Sequence, residues 1–151
     1  HRGQWKVIEY NIRLGITSGA MILRLLADPV NTLWTTVRNQ KLALRFREEF
    51  SFGCSMTLAG YGYPHLVVRG PKLPVSCTAP LDCDVWWNEV EGVSDGPWMA
   101  VGHRIADVVV LGATREVAVN RARANIQRIH CLGAFYRTDI GENLWPPGLD
   151  H

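Results

Sequence analysis

At 151 residues, 47% hydrophobic and 20% charged, the chain has ordinary globular composition and the size of one domain, or one domain plus the edge of another. Its 16 basic and 14 acidic residues are scattered and leave a net charge of +2, too weak and mixed for a nucleic-acid surface. No segment approaches the ~18 apolar residues of a membrane span, and His1-Arg2-Gly3-Gln4-Trp5 lacks the apolar core of a signal peptide. A cytoplasmic location is therefore expected, without membrane or nucleic-acid partners. The chain has no initiating Met, as expected of a piece of something longer. Four cysteines, at 54, 77, 83 and 131, include no Cys-x-x-Cys pair, which argues against a zinc site. A core of this size needs no disulfide staples, so reduced, mostly buried thiols are expected.

Trp5 to Tyr10 reads as a short strand, followed by a polar, glycine-bearing loop from Asn11 to Gly19. Ala20 to Leu26 is apolar and predicts a helix. Asp28-Pro29 marks a second helix start, because Asp caps free N–H groups and Pro suits the first turn. Val30, Leu33, Trp34 and Val37 then recur at helical spacing and predict an apolar packing face. The basic stretch Arg38, Lys41, Arg45, Arg47 is closed by Glu48 and Glu49 and reads as a solvated helix end.

Phe52 to Ala59 predicts a strand ended by the turn Gly60-Tyr61-Gly62-Tyr63-Pro64. Leu66 to Val68 suggests a short strand, and Gly70-Pro71-Lys72-Leu73-Pro74 a loop. Val85 to Val90 and Trp98 to Val101 predict two strands joined by a turn, and Ile105 to Leu111 a third with a β-branched centre. Trp86, Trp87 and Trp98 are assigned to core and sheet faces. Thr114 predicts a helix cap with Glu116 in the first turn, where negative charge suits the dipole. Ala118, Ala122, Ile126 and Ile129 predict a narrow packing stripe, and Leu144 to His151 an irregular tail. Strands grouped before a late helix predict an α+β fold with a mainly antiparallel sheet and a covering helix. The seam is expected near Arg47 to Ser51.

The first chemical constellation is Glu9-Tyr10-Asn11-Ile12-Arg13. Residues two apart on a strand share a face, so a carboxylate, an amide oxygen and a guanidinium would line up. The oxygens suit Mg²⁺, and the guanidinium suits a phosphate or acyl-phosphate oxygen. The bare pattern is also that of many solvated strand faces. Histidines 65, 103 and 130 have no partner at metal-like or triad-like spacing and read as ordinary polar residues. Arg137 and Asp139 read as charges paired with neighbours rather than with each other.

Lys6-Val7-Ile8-Glu9-Tyr10-Asn11-Ile12-Arg13-Leu14-Gly15 resembles the last catalytic strand and loop of the ATP-grasp domain in the glycinamide ribonucleotide synthetase family. The resemblance continues through Gly62-Tyr63-Pro64, through Gly102-His103-Arg104-Ile105 with Val109-Val110-Leu111-Gly112, and through Arg137-Thr138-Asp139-Ile140-Gly141. It implies that residues 1–47 are the tail of an ATP-grasp domain and 48–151 a small C-terminal-like sheet domain. It also implies that Glu9 and Asn11 hold Mg²⁺ or Mn²⁺ with ATP as substrate, that Arg13 is catalytic, and that Arg104 touches substrate. The activity implied is that of an ATP-dependent carboxylate–amine ligase of purine biosynthesis, acting on small molecules through an acyl phosphate. By itself the 151-residue chain is expected to be inactive, because the resemblance leaves the glycine-rich phosphate loop and adenine pocket to a missing N-terminal ATP-grasp portion.

Three departures from the family pattern stand out. Ile16-Thr17-Ser18 replaces Asp-Pro-Glu, Trp87-Asn88-Glu89-Val90 replaces a His-Ala-Gly-Thr-like strand end, and His103 replaces a glycine. They leave the acid and the amine open, and they keep two alternatives in view. One is a non-catalytic remnant used for binding or assembly. The other is a carboxylase-type subunit, against which the Gly-Tyr-Pro and Arg-x-Asp-Ile-Gly motifs speak.

Overall fold

The computed structural model describes residues 13–41, 44–65, 72–92 and 96–142. The expected strands at Trp5–Tyr10 and Leu66–Val68, the ligand candidates Glu9 and Asn11, and the tail from Leu144 lie outside those residues. Two helices come first, α1 (Ile16–Leu25) and α2 (Pro29–Val37), then strands β1 (Phe52–Ala59), β2 (Leu73–Cys77), β3 (Asp84–Trp87), β4 (Val90–Glu91), β5 (Trp98–Ala100) and β6 (Arg104–Gly112). Helix α3 (Arg115–Ile126) and strand β7 (Ile129–Cys131) follow. The fold is α+β with every strand pair antiparallel, as the sequence predicts.

The strands form two sheets rather than one, in the orders β1-β6-β3 and β4-β5-β2-β7. The expected strand Val85–Val90 breaks at Asn88-Glu89, so that β3 joins the first sheet and β4 the second. Trp87 and Trp98 tie the two together, with ring centroids 5.2 Å apart at 54°.

Strand β6 is central in its sheet and buried on both faces, which explains its nearly continuous apolar run. Met56 faces Val108 and Cys54 faces Val110, and this side packs on Ala118, Ala122 and Ile126 of α3. Small residues in the α3 stripe let the helix sit close: a side chain on Gly112 would meet the Ala118 backbone nitrogen at 2.9 Å. The stripe ends with the helix at Ile126, because Ile129 belongs to β7, where it pairs with Cys77. Thr114 caps α3 as expected, accepting the Val117 N–H at 3.2 Å.

The other face of the sheet carries α1, which packs on β1 and β6. That helix begins at Ile16, inside the segment expected to be loop, with no side-chain cap from Gly15. Packing against the sheet outweighs the weak local propensity of Thr17, Ser18 and Gly19. Helix α2 starts as expected, Asp28 accepting the Asn31 N–H at 3.0 Å. Its apolar face is a correction: Val30, Leu33, Trp34 and Val37 are all exposed, and Arg38 lies over the Trp34 ring at 4.7 Å.

Residues 72–74 were expected in a loop, yet β2 starts at Leu73 and includes Pro74. The pairing explains this. Pro74 opposes Met99 of β5, while β7 joins β2 only from Val75 onward, so the missing N–H falls where no partner needs it.

Of the four free cysteines, Cys54 alone is buried; Cys77 is exposed and the other two are intermediate, which corrects the expectation of mostly buried thiols. Burial first, and then the charges of Asp82 and Asp84, push the Cys83 thiol up to about 11. A thiolate is the reactive form, so a thiol held at about 11 rather than 9.0 carries about a hundredfold less thiolate at pH 8 and is alkylated more slowly than in the unfolded chain. The same residue in urea-unfolded chain supplies the reference rate by mass spectrometry, and equal rates in both states would contradict the prediction. By the same sign, the folded state loses relative stability as pH rises from about 9 towards about 11.

Candidate functional site

An open cleft of about 700 Å³ runs between the start of α1, the Ser55–Ala59 half of β1, the Tyr63-Pro64 turn and the segment 135–140. Arg13 and Arg104 both line it, although 91 positions separate them in sequence (104 − 13). Arg137 lines it as well, from the closing segment. The wall therefore combines guanidinium groups with the hydroxyls of Thr17, Ser55, Thr57 and Tyr63. The guanidinium groups suit the oxygens of a phosphate or a carboxylate. Among the described residues no cluster of His, Cys, Asp or Glu can hold a metal.

Arg13 is exposed and donates from Nη1 to the Leu14 carbonyl at 3.1 Å. Arg104 is held more firmly. Its Nη2 donates to Asp107 Oδ2 at 3.1 Å and to Thr17 Oγ1 at 3.1 Å. Asp107 is 1% exposed and accepts two further bonds, from Thr57 Oγ1 at 2.5 Å and Asn88 Nδ2 at 3.0 Å. Residues three apart on a strand point to opposite faces, yet Arg104 and Asp107 meet. A bulge makes this possible: Leu58 opposes Ala106 while Ala59 opposes Arg104, leaving Ile105 as the extra residue.

Arg137 and Asp139 do pair with each other, contrary to expectation, through Nε–Oδ1 at 2.9 Å and Nη2–Oδ2 at 2.5 Å. The two bonds raise the Arg137 pKa above its ordinary value and lower that of Asp139. His103 Nδ1 lies 3.2 Å from the Tyr61 carbonyl oxygen, a local turn contact. Glu89 is turned onto the backbone and accepts the Arg104 N–H at 2.7 Å. Asp107 and Thr57 were not among the sequence candidates, and Thr17 and Asn88 stood out only as departures from the family pattern. A visible signal existed for Asp107, as the lone charge inside the apolar run Ile105-Ala106-Asp107-Val108-Val109-Val110.

The family profile of the C domain of phosphoribosylglycinamide synthetase matches residues 53–143. The chain belongs to this family. Phosphoribosylamine–glycine ligase of Leifsonia xyli subsp. xyli is 31% identical over 140 residues, covering 89% of this chain and 34% of that protein. The Synechocystis protein of the same name is 29% identical, covering 92% and 34%. A crystal structure of phosphoribosylamine–glycine ligase from Thermotoga maritima superposes with a TM-score of 0.71 at 28% identity, covering 93% of this chain and 34% of that one. The chain thus spans about a third of the length of the curated relatives it matches. The cleft is built largely from the family's segment, with Arg13, Ile16 and Thr17 added from outside the matched residues. No helix among the described residues is long and apolar enough to cross a membrane.

Proposed function

We propose that the chain supplies one wall of the active site in a complete ATP-dependent carboxylate–amine ligase, resembling phosphoribosylamine–glycine ligase and serving purine biosynthesis in the cytoplasm. In this reading residues 1–47 end the ATP-grasp domain and 48–151 form the C-terminal-like domain. The meeting of Arg13 and Arg104 in one cleft carries the proposal. Each was singled out from a separate motif, and the fold brings them to one place.

The reaction forms an acyl phosphate from ATP and a carboxylate, and an amine then displaces the phosphate. Charge builds on the transferring phosphoryl oxygens, and fixed cations stabilise it where it develops. Arg13 takes that role, and Arg104 holds a substrate oxyanion. Glu9 and Asn11 would hold Mg²⁺, whose charge would offset that of the nucleotide phosphates. In the complete enzyme, Glu9→Gln or Asn11→Ala is expected to raise the Mg²⁺ concentration needed for half-maximal turnover by about tenfold or more, with the fold intact. Wild-type turnover of either variant at limiting Mg²⁺ would remove these residues from the site.

A non-catalytic binding module is the second reading. The observation that favours it is that Arg104 and Arg137 each already have a carboxylate partner. Nucleotide cleavage dependent on both an acid and an amine separates the two readings, since a binding module shows none.

A further inference from the structure

The three segments that depart from the family pattern do not scatter over the surface. Thr17 comes from the first, Asn88 and Glu89 from the second, and Arg104 follows His103 in the third. Thr17, Asn88 and the retained Arg104 join one hydrogen-bonded unit centred on Asp107, with Glu89 on the Arg104 backbone N–H, while the departing His103 itself stays on the Tyr61 carbonyl.

The directions of the bonds are fixed by counting protons. Thr57 Oγ1 gives its one hydrogen to Asp107 at 2.5 Å. In its 3.0 Å contact with Thr17 Oγ1 it must therefore accept, and Thr17 donates. Thr17 in turn accepts from Arg104 Nη2 at 3.1 Å. The circuit Arg104 to Thr17 to Thr57 to Asp107 closes when Arg104 donates to Asp107 as well. Asn88 adds a fifth bond from the side, on Oδ2. Each hydroxyl hydrogen is used inside the ring, so neither threonine has a proton left for a ligand. The Arg104 bonds found among the described residues run through Nη2; Nε is buried without a partner and Nη1 makes none of these bonds, while Arg104 lines the cleft.

We propose that Asp107, Thr17 and Asn88 form a positioning unit that holds the Arg104 guanidinium in the cleft wall to receive a substrate oxyanion, a phosphate or a carboxylate. The proposal rests on the ligase reading of the cleft. These three are positioning residues that act through Arg104. The Ile105 bulge is the backbone device that puts Arg104 and Asp107 on one face. A guanidinium held by a buried carboxylate and a hydroxyl keeps one orientation and loses little freedom when an anion arrives.

The test uses the ¹⁵N-labelled chain titrated separately with inorganic phosphate and with acetate, following the Arg104 side-chain resonance, which is assigned by its loss in Arg104→Met. The wild-type chain is expected to show a saturable shift with at least one anion, and which one shifts it identifies the phosphate or the carboxylate as the group received. Thr17→Val and Asn88→Ala are expected to weaken that binding about tenfold, while Thr17→Ser, which keeps the hydroxyl, restores it. A role in stability alone would shift the melting temperature and leave anion affinity in the folded variants unchanged. Wild-type affinity in Thr17→Val and Asn88→Ala, with binding still lost in Arg104→Met, would overturn the positioning unit and leave the cleft reading standing. No binding by the wild-type chain, or equal binding by Arg104→Met, would overturn both.

Discussion

Replacing Asp107 by Asn is expected to destabilise the fold by about 3–5 kcal/mol, the range for breaking a buried ion pair by removing one partner. The side chains of Arg104 and Asp107 are 18% and 2% exposed, so water screens the pair poorly. Three donor groups converge on the carboxylate, from Thr57, Asn88 and Arg104. Asparagine offers only one acceptor oxygen, and its own N–H groups would face donors. The partly buried Arg104 guanidinium would also lose its counter-charge. Domains of this size are stable by only about 5–15 kcal/mol, so the variant would sit near the edge of folding. Urea unfolding should show a large fall in the midpoint with little change in slope. A loss below about 1 kcal/mol would mean that the pair is worth no more than a surface ion pair.

The second large effect concerns substrate choice. In the complete ligase proposed above, turnover with glycine and phosphoribosylamine is expected to fall below that with another acid–amine pair. The resemblance places an Asp-Pro-Glu segment where this chain has Ile16-Thr17-Ser18. Ile16 and Thr17 now line the cleft, and Thr17 serves the Arg104 ring. Losing the carboxylate partner of a desolvated cationic group costs about 2–5 kcal/mol, which corresponds to roughly thirtyfold to several thousandfold in affinity. Glu89 is the nearby newcomer with a negative charge, but its carboxylate is already bonded to the Arg104 backbone N–H. Glu89 is also not among the residues that line the cleft. Steady-state rates across a panel of acids and amines test this, and glycinamide ribonucleotide formation above every alternative would contradict it.

The sequence carries some of this structure openly and hides the rest for identifiable reasons. Strand β1 and the cap of α3 are legible because each rests on local chemistry: turn residues after Ala59, and a hydroxyl at Thr114. Helix α1 is not, because Gly15 gives no capping side chain and its first turn holds poor helix formers. Pro74 argues for a loop until the pairing of β2 shows that its missing N–H falls beyond the reach of β7. Arg13 and Arg104 were legible as candidates through the motifs around them. Their common cleft was not, since it depends on how α1 crosses the sheet. The Asp107 ring was the least legible feature. Strand alternation puts Arg104 and Asp107 on opposite faces, and only the bulge at Ile105 reverses that.

The most direct measurement of the ligase account is ADP formation by the complete ligase proposed above, assayed with ATP, Mg²⁺ and the same panel of acids and amines, beside its Arg13→Ala variant. The account predicts ADP formation that requires both an acid and an amine, with kcat about 10²–10³-fold lower in Arg13→Ala, the scale for removing one group aimed at developing charge. ADP formation indifferent to acid and amine, or equal kcat in the variant, would contradict it.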